Sequence, residues 1–481
     1  MSKLLPNLPI IDLNKENDFI GIINKGEIIK SFFLANKKQF SQIKIFSIYG
    51  EWGSGKSTLM KYLENNLTGS FNTFFFESWE FESDKNLSLS LLEYLVKNSK
   101  TENQEVFDDL LKSGGQLLEG FARSITIKLP GMNISGDKFV SSVEEKDEIS
   151  FLEQKKNFKN DFENWEKKIT EGDKMPDYNL VFIDDLDRCE PENVLNLLSA
   201  IKLFFTYGSK TIFVCGVDKK AISEAVKTKY GEVVKSNEYL EKVFDVSFSM
   251  PTSLDVSKLV KYYFDEKIVD SNGNDLNLGD SIVSFFEKLH FRNPRRIKKI
   301  LNKYLIIKSL KDSEGLNNLI LPNILHKDSG TFFETYLTLY LLILNEFEPE
   351  NFKLLFDLSA KRKEYYESIK LGHVEGTSIS NTASGIFNLF KEDIINIEFN
   401  NYSNNNFAHI IPYFSPSNAD NLGPWALSDK KHFITGFNLE RKSFEYYFTL
   451  FLFENEHPII NDLKNSKYSL AVYKKMVGDL I

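Results

Sequence analysis

Apolar and polar residues alternate along the first 250 residues in a way that predicts strands and helices in turn. Apolar runs of strand length lie at residues 43–49, 71–81, 178–183, 211–217 and 243–248. Segments between several of these runs carry apolar residues three or four positions apart, which is the spacing of an amphipathic helix. Strands that alternate with helices are typical of a mostly parallel sheet covered on both faces. The pattern therefore predicts an α/β fold.

Changes in this pattern divide the chain into five predicted segments. Residues 1–83 contain an amphipathic helix and the first part of the sheet, and residues 177–250 contain its second part. Residues 84–176 are dense in Glu, Asp and Lys, which predicts a charged helical insert that is solvated on most faces, with a dedicated interaction tail as the alternative. Residues 251–310 are predicted to be helical. Residues 311–481 form a predicted C-terminal region that is mostly helical and whose role the pattern does not indicate.

Composition narrows the class of protein without naming a function. A hydrophobic fraction of 42% and a charged fraction of 26% are typical of a soluble globular protein. The net charge of −9 argues against a generally cationic nucleic-acid binder, although it leaves room for a local basic groove. The two cysteines, Cys189 and Cys215, are expected to be small buried residues of a reducing cytosol. With no apolar run of membrane length and no signal peptide, we expect a cytoplasmic protein.

Residues 50–57 read Gly-Glu-Trp-Gly-Ser-Gly-Lys-Ser, a complete Walker A loop between a predicted strand and a predicted helix. Glycines let the backbone approach a phosphate closely and point its N–H groups at it. Lys56 can reach the β- and γ-phosphates of a nucleoside triphosphate, and the Ser57 hydroxyl can bind Mg²⁺. The predicted nucleotide-binding residues are Gly50, Glu51, Trp52, Gly53, Ser54, Gly55, Lys56, Ser57 and Thr58.

A second signal is the apolar run at 180–183, which ends in adjacent carboxylates. Ligands bind at the carboxyl edge of such sheets, and a buried carboxylate is costly unless it is paired or bound to a metal. We assign Asp184 to the magnesium shell and Asp185 to polarising the attacking water, and the reverse assignment remains open. A turn or N-cap cluster before the next helix is the alternative. We expect this Walker B strand to lie beside the Walker A strand in the sheet.

Two further residues near these motifs have predicted roles. Arg188 is a candidate for stabilising transition-state charge, and a structural ion pair with Asp187 or a subunit contact is an equally good interpretation. Asp218 follows the apolar run at 211–217, where a residue that senses the γ-phosphate would lie. The alternative for Asp218 is the N-cap of the following helix.

A basic helix is predicted at residues 294–309, with Pro294 at its start and its cations opposite an apolar face. Arg295 and Arg296 are candidates for arginines that contact phosphate from a lid. A nucleic-acid patch and an ordinary solvated face are the alternatives.

Together these segments resemble the KAP family of P-loop NTPases over roughly residues 15–310. The resemblance rests on the loop at 50–57, the strand that ends near Trp79, Val-Phe-Ile-Asp-Asp-Leu-Asp-Arg-Cys at 181–189, and Asn-Pro-Arg-Arg-Ile-Lys-Lys at 293–299, with Val-Asp at 217–218 and Tyr-Leu-Glu-Lys-Val-Phe at 239–244. It implies an ATPase core that uses ATP and Mg²⁺, a helical lid at 251–310, and a strand between the Walker A and Walker B strands.

The resemblance also implies roles for individual residues and for the whole protein. It supports Lys56, Ser57, Asp184 and Asp185 as site residues, and Arg295 or Arg296 as the lid arginine. Many family members carry membrane helices between the Walker motifs, whereas this chain has a polar insert there. Bacterial members resemble components of phage defence that act beside a partner enzyme.

The leading hypothesis from the sequence is a Mg²⁺-dependent ATPase whose nucleotide state drives assembly or the activation of a partner in antiviral defence. The expected partners are further copies of this chain, an effector encoded by an adjacent gene, or both. One alternative is a nucleotide-gated oligomeric scaffold with little turnover. A second alternative is an ATPase stimulated by nucleic acid through the basic helix.

Overall fold

The computed structural model divides into two compact units, Leu8–Leu254 and Met1–Asn7 together with Asp255–Ile481. The described residues are 4–84, 86–99, 104–125, 150–172, 175–231, 236–251, 255–264, 267–269, 275–312, 331–347 and 349.

A five-stranded parallel sheet forms the centre of the unit Leu8–Leu254. Its strands are β1 (Ile45–Tyr49), β2 (Asn72–Glu77), β3 (Asn179–Asp184), β4 (Thr211–Val217) and β5 (Val246–Ser249), in the order β2-β3-β4-β1-β5. The α/β fold and the parallel sheet that the sequence predicts are therefore confirmed.

Strand β4 pairs with both β1 and β3, so it lies between the Walker A strand and the Walker B strand. The expectation that those two strands are neighbours is wrong, and the intervening strand implied by the family resemblance is confirmed. Every residue of β4 is buried, as expected for a strand with a neighbour on each side. The residues of β1 and β3 are all buried as well, so burial does not show which of these strands are neighbours in the sheet.

Helices cover both faces of this sheet. They are α1 (Ile22–Ala35), α2 (Lys56–Leu67), α3 (Leu87–Lys97), α4 (Gln104–Ile125), α5 (Phe151–Thr170), α6 (Pro191–Ala200), α7 (Lys219–Tyr230) and α8 (Ser236–Val243). Alternate residues of each strand contribute to two separate cores, because successive side chains on a strand point to opposite faces. In β3, for example, Val181 packs in the core with α3 to α8, and Phe182 packs in the core with α1 and α2.

The predicted insert is not an appendage on the sheet. Its helices α4 and α5 pack against each other, and three aromatic side chains of α5, Phe158, Phe162 and Trp165, are fully buried in the core. Most of the charged residues of α5 face solvent, as the sequence predicts. Residues 126–149 of the insert lie outside the described residues.

Several predicted elements begin or end elsewhere in the structure. The strand predicted at 71–81 ends at Glu77 and continues as a 3₁₀ turn, Ser78–Phe81, where polar residues interrupt the apolar run. The strand predicted at 243–248 begins at Val246, because the preceding residues complete α8. Both cysteines are buried and free, as predicted.

The second unit contains four described helices, α9 (Ser257–Tyr263), α10 (Leu278–Lys288), α11 (Pro294–Asp312) and α12 (Thr331–Phe347), and a short hairpin of β6 (Lys267–Val269) and β7 (Asp275–Asn277). The predicted basic helix is α11, whose apolar face (Ile297, Ile300, Leu301) is buried. Of the predicted C-terminal region, α12 is described, and residues 351–481 lie outside the described residues. Nowhere in the described part of the chain is a helix both long and apolar enough to span a membrane.

Candidate functional site

The Walker A loop, residues 50–57, joins β1 to α2 at the carboxyl edge of the sheet. Gly53 and Gly55 have φ values of 82° and 97°, a region that residues with a Cβ rarely adopt. A Cβ on Gly55 would also come within 2.8 Å of Ile22 Cδ1. At Gly50 it would lie 2.5 Å from Ser54 Oγ. The glycines of the motif are therefore required by the shape of the loop as well as by access to a phosphate.

Lys56 begins α2 and is 6% exposed. Its Nζ donates to the carbonyl oxygens of Gly50, at 2.9 Å, and Glu51, at 3.2 Å. The ammonium group is thus held over the loop by the loop's own backbone. A phosphate bound in the loop would meet this charge together with the positive N-terminal end of α2.

The three hydroxyl residues of this segment have different surroundings. Ser57 lies close enough to Asp184 for its hydroxyl to lower the pKa of that carboxyl group. Thr58 accepts a hydrogen bond from the Ile10 N–H at 3.2 Å, so its side chain faces the N-terminal segment. Ser54 is 7% exposed, and its Oγ has no hydrogen-bond partner among the described residues. A buried hydroxyl of this kind inside the loop fits a ligand that brings acceptor oxygens.

Asp184 ends β3 and is 4% exposed. Burial raises the pKa of its carboxyl group, while the Ser57 hydroxyl, the Asp185 N–H and the charge of Lys56 act in the opposite direction. A glycine of β4 makes room for this side chain, because a Cβ on Gly216 would come within 2.9 Å of Asp184 Oδ1. The carboxylate is therefore buried, close to a hydroxyl and close to a cation.

These donors fit a magnesium ion. Mg²⁺ prefers oxygen ligands and is usually bound by one or two carboxylates together with phosphate oxygens and waters. Asp184 and Ser57 supply a carboxylate and a hydroxyl at one point of the sheet edge. Among the described residues, no three His, Cys, Asp or Glu side chains form a metal site. The ion would therefore depend on a bound nucleotide for most of its ligands.

Asp185 follows in a left-handed conformation, with φ of 56°, and opens the 3₁₀ turn Leu186–Arg188. Burial and the neighbouring charge of Asp184 raise the pKa of its carboxyl group to about 6. Its Oδ1 lies 3.1 Å from Arg188 Nε. The predicted ion pair between Arg188 and Asp187 is therefore wrong. The Arg188 guanidinium pairs with the carboxylate of Asp185 instead. That guanidinium also lies over the Trp79 ring, 5.1 Å from its centroid.

Asp218 follows β4 and caps α7, accepting a hydrogen bond from the Lys220 N–H at 2.9 Å. The cap interpretation from the sequence is thus confirmed. The second carboxylate oxygen accepts a hydrogen bond from the Trp52 N–H of the Walker A loop at 3.0 Å. Glu51 of the same loop pairs with Lys220 Nζ at 3.0 Å, and the Trp52 side chain is half exposed.

Arg295 and Arg296 belong to the second unit, and each side chain contacts a residue of that same unit. Arg295 Nη2 donates to the Asn7 carbonyl at 3.1 Å, and the Arg296 guanidinium lies 5.0 Å from the centroid of the Phe347 ring. Neighbouring lysines of α11 bond to Pro6 and to Glu346. Several cations of the basic helix are thus engaged within their own unit, which does not favour a nucleic-acid patch. Their role as lid arginines stays a prediction.

Sequence reasoning missed two features of the site. Gly216 makes room for Asp184, and Glu77 lies in register with Asp184 on β2. A glycine within an apolar strand is a known signal of close approach, so Gly216 could have been noticed. The position of Glu77 could not, because it depends on which strands are neighbours.

Comparisons with known proteins agree with this geometry. A sequence model described as the KAP family P-loop domain matches residues 29–311, which is more than half of the chain. Two uncharacterized proteins of Methanocaldococcus jannaschii are similar in sequence. MJ0181 is 32% identical over 144 residues, covering 27% of this chain and 56% of the relative. MJ0182 is 32% identical over 167 residues, covering 28% of this chain and 84% of the relative.

The match to MJ0181 spans little more than half the length of that relative. Among solved structures, the Walker-type ATPase PABY2304 of Pyrococcus abyssi aligns over 77% of this chain and 83% of its own. The TM-score of that alignment is 0.30 and the sequence identity is 13%. At these values the two structures superpose only loosely.

Proposed function

Because this chain belongs to the KAP family of P-loop NTPases, we propose that it hydrolyses ATP in a magnesium-dependent cycle whose nucleotide state drives assembly of the chain or activation of a partner. The observation that carries the proposal is the approach of Ser57 to Asp184 at the sheet edge. This contact joins the Walker A loop to the Walker B carboxylates, which lie more than 120 residues away in sequence.

The loop binds the phosphates through its backbone N–H groups and the N-terminal end of α2. Lys56 uses two of its three N–H donors on the carbonyls of Gly50 and Glu51, and it presents the third to the phosphate oxygens. Its charge then stabilises the negative charge that develops on the transferred phosphoryl group. The buried hydroxyl of Ser54 provides a further hydrogen bond inside the loop.

Ser57 and Asp184 would hold the magnesium ion. When bound, Mg²⁺ neutralises charge on the phosphate oxygens. For Asp184 the ion also offsets the cost of a buried carboxylate, the same burial that raises its pKa.

Asp185 orients and polarises the attacking water. A carboxyl group with a pKa of about 6 is mostly ionised at neutral pH, yet it is a stronger base than an ordinary aspartate. Arg188 holds this carboxylate by an ion pair, and its guanidinium is a candidate to turn toward the γ-phosphoryl group of the same chain or of a neighbour.

Asp185→Asn tests the assignment. We expect the variant to bind ATP with an affinity within about twofold of the parent and to hydrolyse it roughly 100-fold more slowly, because the base is lost while the phosphate-binding loop is unchanged. Asp187→Asn is the matched control, since it removes a carboxylate from the same turn, and it should keep most of the activity. Single-turnover hydrolysis and equilibrium binding measure the two quantities. Hydrolysis by Asp185→Asn at the parent rate would remove Asp185 from the mechanism.

A nucleotide-gated scaffold with little turnover is the second candidate. The ion pair between Arg188 and Asp185 favours it, because a base that is engaged by a cation is poorly placed to accept a proton. In this case the rate per chain should rise with protein concentration as neighbouring subunits reposition Arg188. Hydrolysis across a range of dilutions, beside sedimentation with and without ATP, separates the candidates. A substantial rate that does not depend on concentration contradicts the scaffold.

The resemblance to bacterial family members supports a role in defence against phage, together with an effector protein. We expect cells that express the chain with its neighbouring genes to form fewer plaques than cells that carry Lys56→Ala. Equal plaque numbers would remove this role and leave the enzymatic proposal unaffected.

A further inference from the structure

Three groups at the junction of β4 and α7 bond to the Walker A loop. The Val217 carbonyl accepts a hydrogen bond from the Gly50 N–H at 3.1 Å. The carboxylate of Asp218 accepts one from the Trp52 N–H at 3.0 Å, and Lys220 pairs with Glu51. These contacts join parts of the chain that are more than 160 residues apart.

Both oxygens of the Asp218 carboxylate are used. Oδ1 accepts a hydrogen bond from the Lys220 N–H and caps α7, while Oδ2 accepts one from the Trp52 N–H. A residue that senses the γ-phosphate would have to turn one of these oxygens toward a phosphate. Two negative groups at contact distance repel each other, so this geometry does not suit Asp218 for that role.

The hydrogen bond to Trp52 acts on one peptide unit of the loop. The same peptide unit carries the Glu51 carbonyl, which accepts a hydrogen bond from Lys56 Nζ at 3.2 Å. In a planar trans peptide the N–H and C=O groups point in opposite directions. When Asp218 fixes the N–H, it therefore also directs the carbonyl toward the Walker lysine.

We propose that Asp218 is a positioning residue of the Walker A loop, which holds the Glu51–Trp52 peptide and thereby sets the loop shape and the place of Lys56. The inference rests on the proposed nucleotide site and goes beyond it by giving Asp218 a role other than phosphate sensing. Because the same carboxylate caps α7, a change in the loop on nucleotide binding is passed directly to the start of that helix.

Asp218→Asn separates this role from a helix cap. Asparagine is as good an N-cap as aspartate, but its amide offers one acceptor oxygen instead of two. The cap can remain while the bond to Trp52 is lost. The binding of ADP and of a non-hydrolysable ATP analogue is measured by calorimetry, beside thermal unfolding. We expect both ligands to bind about five- to tenfold more weakly, the loss of one charge-assisted hydrogen bond, with a melting temperature within about 3 °C of the parent.

Two further variants complete the experiment. Lys220→Ala removes the exposed ion pair with Glu51 and should change both affinities by less than about twofold. Lys56→Ala tests whether the nucleotide binds at the Walker A loop. If the parent and Lys56→Ala bind ADP equally, the nucleotide site is wrong, whatever Asp218 does. If Asp218→Asn does not fold, Asp218→Ser, which also keeps one acceptor and is a good N-cap, takes its place.

Once weaker ADP binding by Lys56→Ala has established the nucleotide site, two results would overturn the inference. Parent-like affinity of Asp218→Asn for both ligands would mean that Asp218 only caps α7. Weaker binding of the ATP analogue with unchanged ADP binding would mean that Asp218 acts at the γ-phosphate. An equal loss for both ligands supports the positioning role, because the loop wraps the β-phosphate that the two ligands share.

Discussion

The Walker A loop and the Walker B turn, residues 184–188, lie at the same edge of the sheet but are built differently. The loop is shaped by its backbone, through the positive φ angles of Gly53 and Gly55 and the carbonyls that hold Lys56. The turn is shaped by side chains, through the buried Asp184 and the ion pair of Asp185. Restricting the backbone should therefore damage the shape of the loop, whereas removing a carboxylate should damage the chemistry of the turn.

The largest effect is expected from Gly55→Ala. Its φ of 97° is unfavourable for alanine, and the new Cβ would come within 2.8 Å of Ile22 Cδ1. We expect nucleotide affinity to fall about 100-fold and the free energy of unfolding to fall by about 1–3 kcal/mol. Gly69→Ala is the matched control, because its φ is 94° but no atom lies within 4 Å of its Cβ. If Gly55→Ala binds nucleotide like Gly69→Ala, the loop is not shaped by its backbone.

Asp184→Asn should show the opposite behaviour in the turn. Hydrolysis should fall about 100-fold, because the amide is a poor ligand for Mg²⁺. The free energy of unfolding should stay the same or rise, since burial raises the pKa of this carboxyl group and a neutral side chain avoids the cost of a buried charge. Urea unfolding beside steady-state hydrolysis tests both statements. A large loss of stability would show that the carboxylate is needed for the fold.

Gly216→Ala probes the contact between β4, which contains Gly216, and β3, which ends in Asp184. Its Cβ would lie 2.9 Å from both Asp184 Oδ1 and Met60 Sδ. The flexible methionine can move, so we expect the fold to survive while Asp184 is displaced and hydrolysis falls about tenfold. Hydrolysis rates with increasing Mg²⁺ are the measurement. Parent-like activity would mean that Asp184 tolerates the displacement.

The smallest effect is expected in the dependence of stability on pH. The pKa of Asp185 is raised from its ordinary 3.8 to about 6, so between these values the folded chain holds a proton that the unfolded chain has lost. This contribution to stability is complete below the lower value and is lost as pH rises to about 6. The free energy of unfolding should fall by roughly 1–3 kcal/mol over that range.

The pH measurement is urea unfolding at a series of pH values without added nucleotide or Mg²⁺. Asp185→Asn should flatten this part of the profile, and Asp187→Asn, whose charge is a lesser cause of the raised pKa of Asp185, should keep most of it. An unchanged profile in Asp185→Asn would assign the slope to other groups.

The same contrast explains what could be predicted from the sequence. The Walker A loop depends on residues that are contiguous, so its glycines, its lysine and its flanking elements follow from the printed sequence. The partner of Arg188 is less evident, although its spacing gives a clue. Residues three apart approach each other in a helical turn while adjacent ones diverge, so Asp185 is a better partner than Asp187.

Strand order and long-range contacts could not be predicted from the residues alone. The three central strands are buried along their whole length, so no residue indicates that β4 separates β1 from β3. The contact between Asp218 and Trp52 joins residues far apart in the chain and uses a backbone N–H, which no side-chain pattern indicates. The family resemblance implied a strand between β1 and β3, but it did not imply this hydrogen bond.

The position of the Arg188 guanidinium over the Trp79 ring affects the intrinsic fluorescence of the protein. The indole is 54% exposed, and the guanidinium over its face also engages Asp185. Indole emission responds to the polarity and charge of its surroundings, and a cation held over the ring is one such influence. Any event that draws Arg188 away, whether a phosphate group or a neighbouring subunit, must also change the surroundings of this ring. Trp79 is one of four tryptophans in the chain, so the state of the Walker B turn contributes to its indole fluorescence without an added dye.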